Sequence, residues 1–123
     1  MLKGYLVNFA CAILATVSNC LLKQTVQNRI KLGEPELSGI LLFISLLRLP
    51  IFWLSLSAFI AANVLWIHIL SVQPMSVAFP LQVSLVLVMT TFVSVTMFSE
   101  PISPSGILGM ILIIVGIVLV SRQ

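Results

Sequence analysis

The sequence has no aspartate, and only three acidic residues, Glu34, Glu36 and Glu100, occur among its 123 positions. Charged residues of either sign make up 7% of the chain, against about 25% in an ordinary soluble domain. So few charges cannot cover a water-facing surface, which excludes a soluble globular protein. The scarcity excludes chemistry as well. No acid/base pair and no nucleophile constellation is present. One histidine, His68, and two cysteines, Cys11 and Cys20, form no cluster with metal-ligand spacing, and no glycine-rich phosphate loop appears. The sequence predicts neither an enzyme nor a bound cofactor or metal, and nothing in it points to a nucleic-acid partner.

What is present is apolar. Hydrophobic residues reach 60% and the mean hydropathy is +1.24, so the chain reads as an integral membrane protein of a single domain, 1–123. The expected fold is all-α: a bundle of four transmembrane helices at about 4–22, 50–72, 75–98 and 104–121, with short connections. The opening apolar run ends at Lys23 and Gln24 without a small-residue cleavage site, so it reads as a membrane helix rather than a cleaved signal. Residues 23–36 are the long polar stretch, and Gly33 and Pro35 predict a loop there. Residues 37–48 are apolar but too short for a ~30 Å hydrocarbon core. Leu37, Ile40, Leu41, Ile44 and Leu47 would form one stripe, which predicts an interfacial helix. Pro50 suits the first turn of the next helix, and Trp53 lies where interfacial aromatics belong. Pro80, inside the third span, removes a hydrogen bond and predicts a kink or hinge. Ser103 and Pro104 read as cap and first residue of the fourth span.

Polar residues inside such spans carry the functional question. Cys11 and Cys20 are nine residues apart on one predicted helix, about 13 Å along its axis, too far for a disulfide, and read as small packing residues. Asn19, Asn63, Gln82 and Ser84 are either interhelical hydrogen-bond partners or the lining of a substrate path. Gly109 and Gly116 are seven apart, hence on one face, and predict close helix packing within the bundle or at a dimer seam. Glu100 falls in the connection before the fourth span, near a helix N-terminus that favours an anion. It reads as a cap-region acid or as a contact for a polar headgroup. Lys23, Arg29, Lys31 and Arg48 surround the first loop. They set topology, with that loop on the cytoplasmic side, or they hold a phosphate.

Three stretches carry a family resemblance: "LLKQT" at 21–25, "FWLSLSAFIAANVLWIHILSVQPMSVAFPL" at 52–81 and "FSEPISPSGILGMILIIVGIVLVS" at 98–121. They resemble the drug/metabolite transporter superfamily, in its small multidrug resistance-like and EamA-like branch. Within that branch they look most like the small subunits of the aminoarabinose-phosphoundecaprenol flippase. Lys23 at the end of the first helix and the Glu100–Pro104 junction carry this finer likeness. Drug-exporting members hold a proton-exchanging glutamate in the first helix, and "NFACAILATVSN" has no acid. The resemblance therefore implies a carrier of a lipid-linked sugar phosphate in the bacterial inner membrane, with membrane lipid as its partner molecule. It also implies a homodimer, or a heterodimer with a related small subunit. Lys23, Glu100, Asn19, Asn63, Gln82 and Ser84 are the candidate substrate-binding residues. Two other readings stand beside this one: a small exporter of drugs or metabolites, and a non-transporting subunit that recruits another enzyme.

Overall fold

A computed structural model describes residues 2–32, 39–120 and 122. Among these residues the chain forms five helices and no strand: α1 (Leu2–Lys31), α2 (Gly39–Leu46), α3 (Pro50–Val72), α4 (Met75–Phe98) and α5 (Pro104–Val120). Three of them, α1, α3 and α4, are long and apolar enough to cross a membrane. The expected count of four spans is not confirmed. The fourth predicted span, α5, has 17 residues, about 26 Å at 1.5 Å per residue, which is short of a ~30 Å core. It lies against α4, while α1 packs on both α3 and α4.

α1 corrects a boundary. The helix was expected to end at residue 22, but it continues through the polar run to Lys31, 30 residues in all. Glutamine, asparagine, lysine and arginine are helix-compatible, and no glycine or proline interrupts the run before Gly33. Inside the run, the Thr25 hydroxyl donates to the Leu21 carbonyl at 2.7 Å. Gly33, Pro35 and the rest of 33–38 lie outside the described residues, as does the start of the expected interfacial segment at 37. The part of that segment that is described, α2, has eight residues. It is tied to α1 by Arg29 Nη2 donating to the Ser45 carbonyl at 3.2 Å, and to α3 by an edge-to-face contact of Phe43 and Phe52, 5.9 Å between centroids. Leu46 is its buried residue, whereas Ile40, Leu41 and Ile44 of the expected stripe stay uncovered by protein.

The ends of α3 and α4 follow local chemistry. Pro50 opens α3 after an extended Leu49, and the extended Gln73 closes it, its N–H donating to the Ile69 carbonyl. Pro74 starts α4, which runs on through Pro80. Because Pro80 has no N–H, the Ser76 carbonyl loses its usual donor. The Ser84 hydroxyl bonds back to the Pro80 carbonyl. At the far end Ser99 adopts φ 52° and ψ 34°, the left-handed conformation that ends helices. Pro101 then prevents continuation. Ser103 caps α5, its Oγ accepting from the Gly106 N–H at 3.2 Å.

The interior is built from small and polar side chains, as expected where lipid tails compete equally for large apolar ones. Cys11, Ala12, Ala62 and Ala78 are buried together with Asn8, Ser18 and Ser55, while most large aliphatics face outward. Small residues bring α1 and α3 close enough for a reciprocal clasp. Ser18 Oγ donates to the Ser55 carbonyl and Ser55 Oγ to the Ser18 carbonyl, each at 2.9 Å.

Candidate substrate site between α1, α3 and α4

Two rows of residues spaced four apart face each other. On α1 the row is Cys11, Ala15, Asn19 and Lys23; on α4 it is Gln82, Val86, Thr90, Ser94 and Phe98. Such rows form the ridges of a helix surface. Between them and α3 lies a cavity of about 490 Å3, which Asn19, Asn63, Trp66, Gln82 and Thr90 help to line. Gln82 Nε2 donates to Cys11 Sγ at 3.1 Å, and Cys11 Sγ donates to the Ala62 carbonyl at 3.2 Å. Both Gln82 Oε1 and Thr90 Oγ1 are buried without a protein partner. Asn63 spends one amide hydrogen on the Phe59 carbonyl of its own helix, at 2.8 Å. Ser84 is buried and bonded within its own helix, and it is not among the lining residues.

Lys23 ends the α1 row. It lies 21 residues beyond the start of α1, about 32 Å along the axis, which puts it at the edge of a ~30 Å core. The left-handed turn at Ser99 folds the connection back over the last turn of α4 and delivers Glu100 to Lys23. The two form an ion pair through Lys23 Nζ and Glu100 Oε1. Ser94 joins them: its Oγ accepts from Lys23 Nζ at 3.5 Å and donates to Glu100 Oε2. Lys23 Nζ also stands 4.7 Å from the centre of the Phe98 ring, a favourable cation–π placement. Hydrogen bonding from Lys23, then from Ser94, together with the lysine charge, holds the Glu100 carboxyl below the usual carboxylate range against an opposing desolvation effect. Both charges remain partly open, at 37% and 44% exposure.

Lys23 and Glu100 were both expected as substrate contacts, and the structure places them in an ion pair with each other. It also brings Asn19, Asn63 and Gln82 to one cavity and leaves Ser84 outside it. Sequence reasoning passed over Ser94, Phe98, Thr90 and the polar role of Cys11. The four-residue spacing that aligns them with Lys23 and Gln82 is visible in the sequence and would have found them. Gly109 and Gly116 lie on a helix with no buried residue, and a Cβ added at either would meet nothing within 4 Å.

Residues 9–121 match the model of a family described as Putative transmembrane family 234. The chain belongs to this family. The family 234 chain is also similar to a protein of Pseudomonas fluorescens (strain Pf0-1) named as a probable 4-amino-4-deoxy-L-arabinose-phosphoundecaprenol flippase subunit, ArnE. The two are 34% identical over 76 residues, which is 62% of this chain and 66% of that relative. The alignment thus spans just under two thirds of the relative's length. No solved structure matches the chain. The family 234 chain is a multi-pass membrane protein, and the protein it resembles is named as a flippase subunit.

Proposed function

We propose that this chain is a transporter subunit that moves an anionic, lipid-linked headgroup across the inner membrane, and that the headgroup is a sugar phosphate. The observation that carries the reading is an uncharged, mostly apolar cavity that holds a few polar side chains, Asn19, Asn63, Gln82 and Thr90, next to a paired cation and anion at the membrane edge. Buried polar atoms left without protein partners, Gln82 Oε1 and Thr90 Oγ1, are costly in an apolar setting. Sugar hydroxyls supply the missing hydrogen bonds. Lys23 holds the phosphate as a point charge, displacing Glu100, whose carboxylate is then free for a cationic group such as a sugar amine. The relative named for 4-amino-4-deoxy-L-arabinose-phosphoundecaprenol supports a substrate with both charges.

The described spans contain no acid, which leaves no embedded carboxylate for proton-coupled export of cationic drugs. The reading is of a carrier and not an enzyme. A second small subunit, identical or related, completes the path. Its seat is the α5 face bearing Gly109 and Gly116, where an added Cβ would meet nothing of its own chain within 4 Å. The test is purification of wild type and Lys23→Ala from native membranes, with mass spectrometry of the retained lipid. Enrichment of a lipid-linked sugar phosphate with wild type and its loss with Lys23→Ala is the expected result. Equal lipid profiles in the two preparations would contradict the proposal.

A further inference from the structure

The functional reading leaves the substrate's apolar chain unassigned, and a second depression between α1 and α4 bears on it. A cavity of about 370 Å3 lies against Ile13, Val17, Val88, Met89, Phe92 and Val93. A smaller cavity of about 170 Å3 holds Lys23 and Ser94. The two share Thr16 and Val93 in their linings, so they adjoin along the α1–α4 seam as a trough in two parts. The smaller one also shares Asn19 and Thr90 with the 490 Å3 cavity. Lys23 therefore lines the space that adjoins both the larger cavity and the apolar depression.

Depth supports a membrane-anchored ligand. From Lys23 to Ile13 is ten residues of α1, about 15 Å, which is one half of a ~30 Å hydrocarbon core. The trough runs from the charged edge to mid-membrane, the depth of a single leaflet. At the junction Thr16 is only 5% exposed, and its Oγ1 has no protein partner. That hydroxyl is a polar group left unsatisfied along the α1–α4 seam, about 10 Å down α1 from Lys23.

The geometry points to the α1–α4 trough as the binding site for the first segment of a single-chain polyprenyl phosphate, with its phosphate at Lys23 and its linked sugar toward Asn19 and Thr90 of the larger cavity. This rests on the functional reading above and adds the seat of the chain. It makes the site select for the lipid as well as for the headgroup.

Binding to the purified full chain in detergent tests it with three probes: undecaprenyl phosphate, the five-carbon dimethylallyl phosphate, and a diacyl phosphatidic acid. Wild type is expected to bind undecaprenyl phosphate at least ten-fold more tightly than either of the others. Val17→Trp, which fills the trough, should remove that ten-fold advantage and leave dimethylallyl phosphate binding unchanged. Ile111→Trp, on the exposed side of α5 away from Gly109 and Gly116, should do neither. Lys23→Gln should weaken both prenyl phosphates alike. Photolabelling of wild type with a polyprenyl phosphate carrying a diazirine on its second isoprene unit needs no variant. It should mark peptides containing 13–17 and 88–93. Labelling of α5 or the outer side of α3 instead would overturn the proposal. So would undiminished long-chain binding in Val17→Trp, or phosphatidic acid binding as tightly as undecaprenyl phosphate. Those results would leave the phosphate reading of Lys23 standing. No binding of any phosphate by wild type would overturn both.

Discussion

Lys23, near the end of the membrane-spanning part of α1, and Glu100, in the connection after α4, are 77 residues apart in the chain and form an ion pair. The pair is built by two separate features. The four-residue row of α1 points Lys23 at α4, and the left-handed Ser99 turns the chain back so that Glu100 reaches it. Because both side chains remain partly open, the pair can be separated by a ligand without unfolding the helices. Exposed pairs of this kind add little to stability, so its place beside a cavity that holds Asn19 and Thr90 suggests a role in exchange of partners. Glu100→Gln is expected to leave the thermal midpoint unchanged and to alter retention of an anionic lipid. A large fall in the midpoint would make the pair a structural clamp instead.

The titration of Glu100 follows from its partners. Its carboxyl is held below the usual range by hydrogen bonds from Lys23 and Ser94 and by the lysine charge. A depressed folded value means that the pair's contribution is present above the unfolded carboxylate value of about 4.3. It is lost as pH falls through the lower folded value. Carboxyl NMR of labelled glutamate should show a midpoint below the usual range in wild type, moving upward in Lys23→Ala and, by less, in Ser94→Ala. A midpoint unaffected by Lys23→Ala would mean that the two groups do not interact in the membrane protein.

The serine clasp between α1 and α3 makes a stability prediction. Ser18 and Ser55 each donate to the other's backbone carbonyl and both are buried. Interhelical hydrogen bonds in membranes average about 0.6 kcal/mol and reach about 1.7. Ser18→Ala and Ser55→Ala should each cost about that much, with the double variant near the sum. Ser18→Leu should cost more, about 1–3 kcal/mol, because it forces bulk into a close contact. Unfolding in mixed micelles would measure all four. A Ser18→Leu protein as stable as wild type would mean that the close approach of α1 and α3 is absent.

The glycine face of α5 makes a prediction about assembly. Within one chain a side chain at Gly116 would touch nothing within 4 Å. Gly116→Leu should therefore leave the folding of a single chain intact. If the face seats a second subunit, the same change should convert dimers to monomers in mild detergent, while Ile113→Leu should not. Size measurement of wild type and both variants decides this. A wild type that is monomeric and active in liposomes would remove the paired arrangement.

The sequence is a good guide to α3 and α4 because their ends are chemical events. Pro50, the Gln73–Pro74 step and the Ser-Glu-Pro junction each stop or start a helix locally, and the bounds agree with the expected 50–72 and 75–98. The end of α1 was misjudged because polarity is not a helix stop. The run after Lys23 leaves hydrocarbon without leaving the helix. The fourth expected span, α5, is plainly apolar, but its 17 residues lie at the lower limit of spanning length, so its crossing is not confirmed. The meeting of Lys23 and Glu100 was not legible, since it depends on α1–α4 packing and on a positive φ at Ser99, an uncommon choice for serine. The chamber was half legible. Asn63 and Gln82 drew notice as amides in hydrocarbon, but only the four-residue registers of Asn19 with Lys23 and of Gln82 with Ser94 show which residues line the cavity together.

The role of Lys23 can be measured in inverted membrane vesicles from cells expressing the chain, by following the movement of a labelled lipid-linked sugar phosphate between leaflets. Wild type should move it. Lys23→Ala, expressed to the same level, should reduce the rate at least ten-fold, and Lys23→Arg should retain part of it, since the charge is kept and its shape changed. Wild-type rates with Lys23→Ala would contradict the assignment of the phosphate to this lysine.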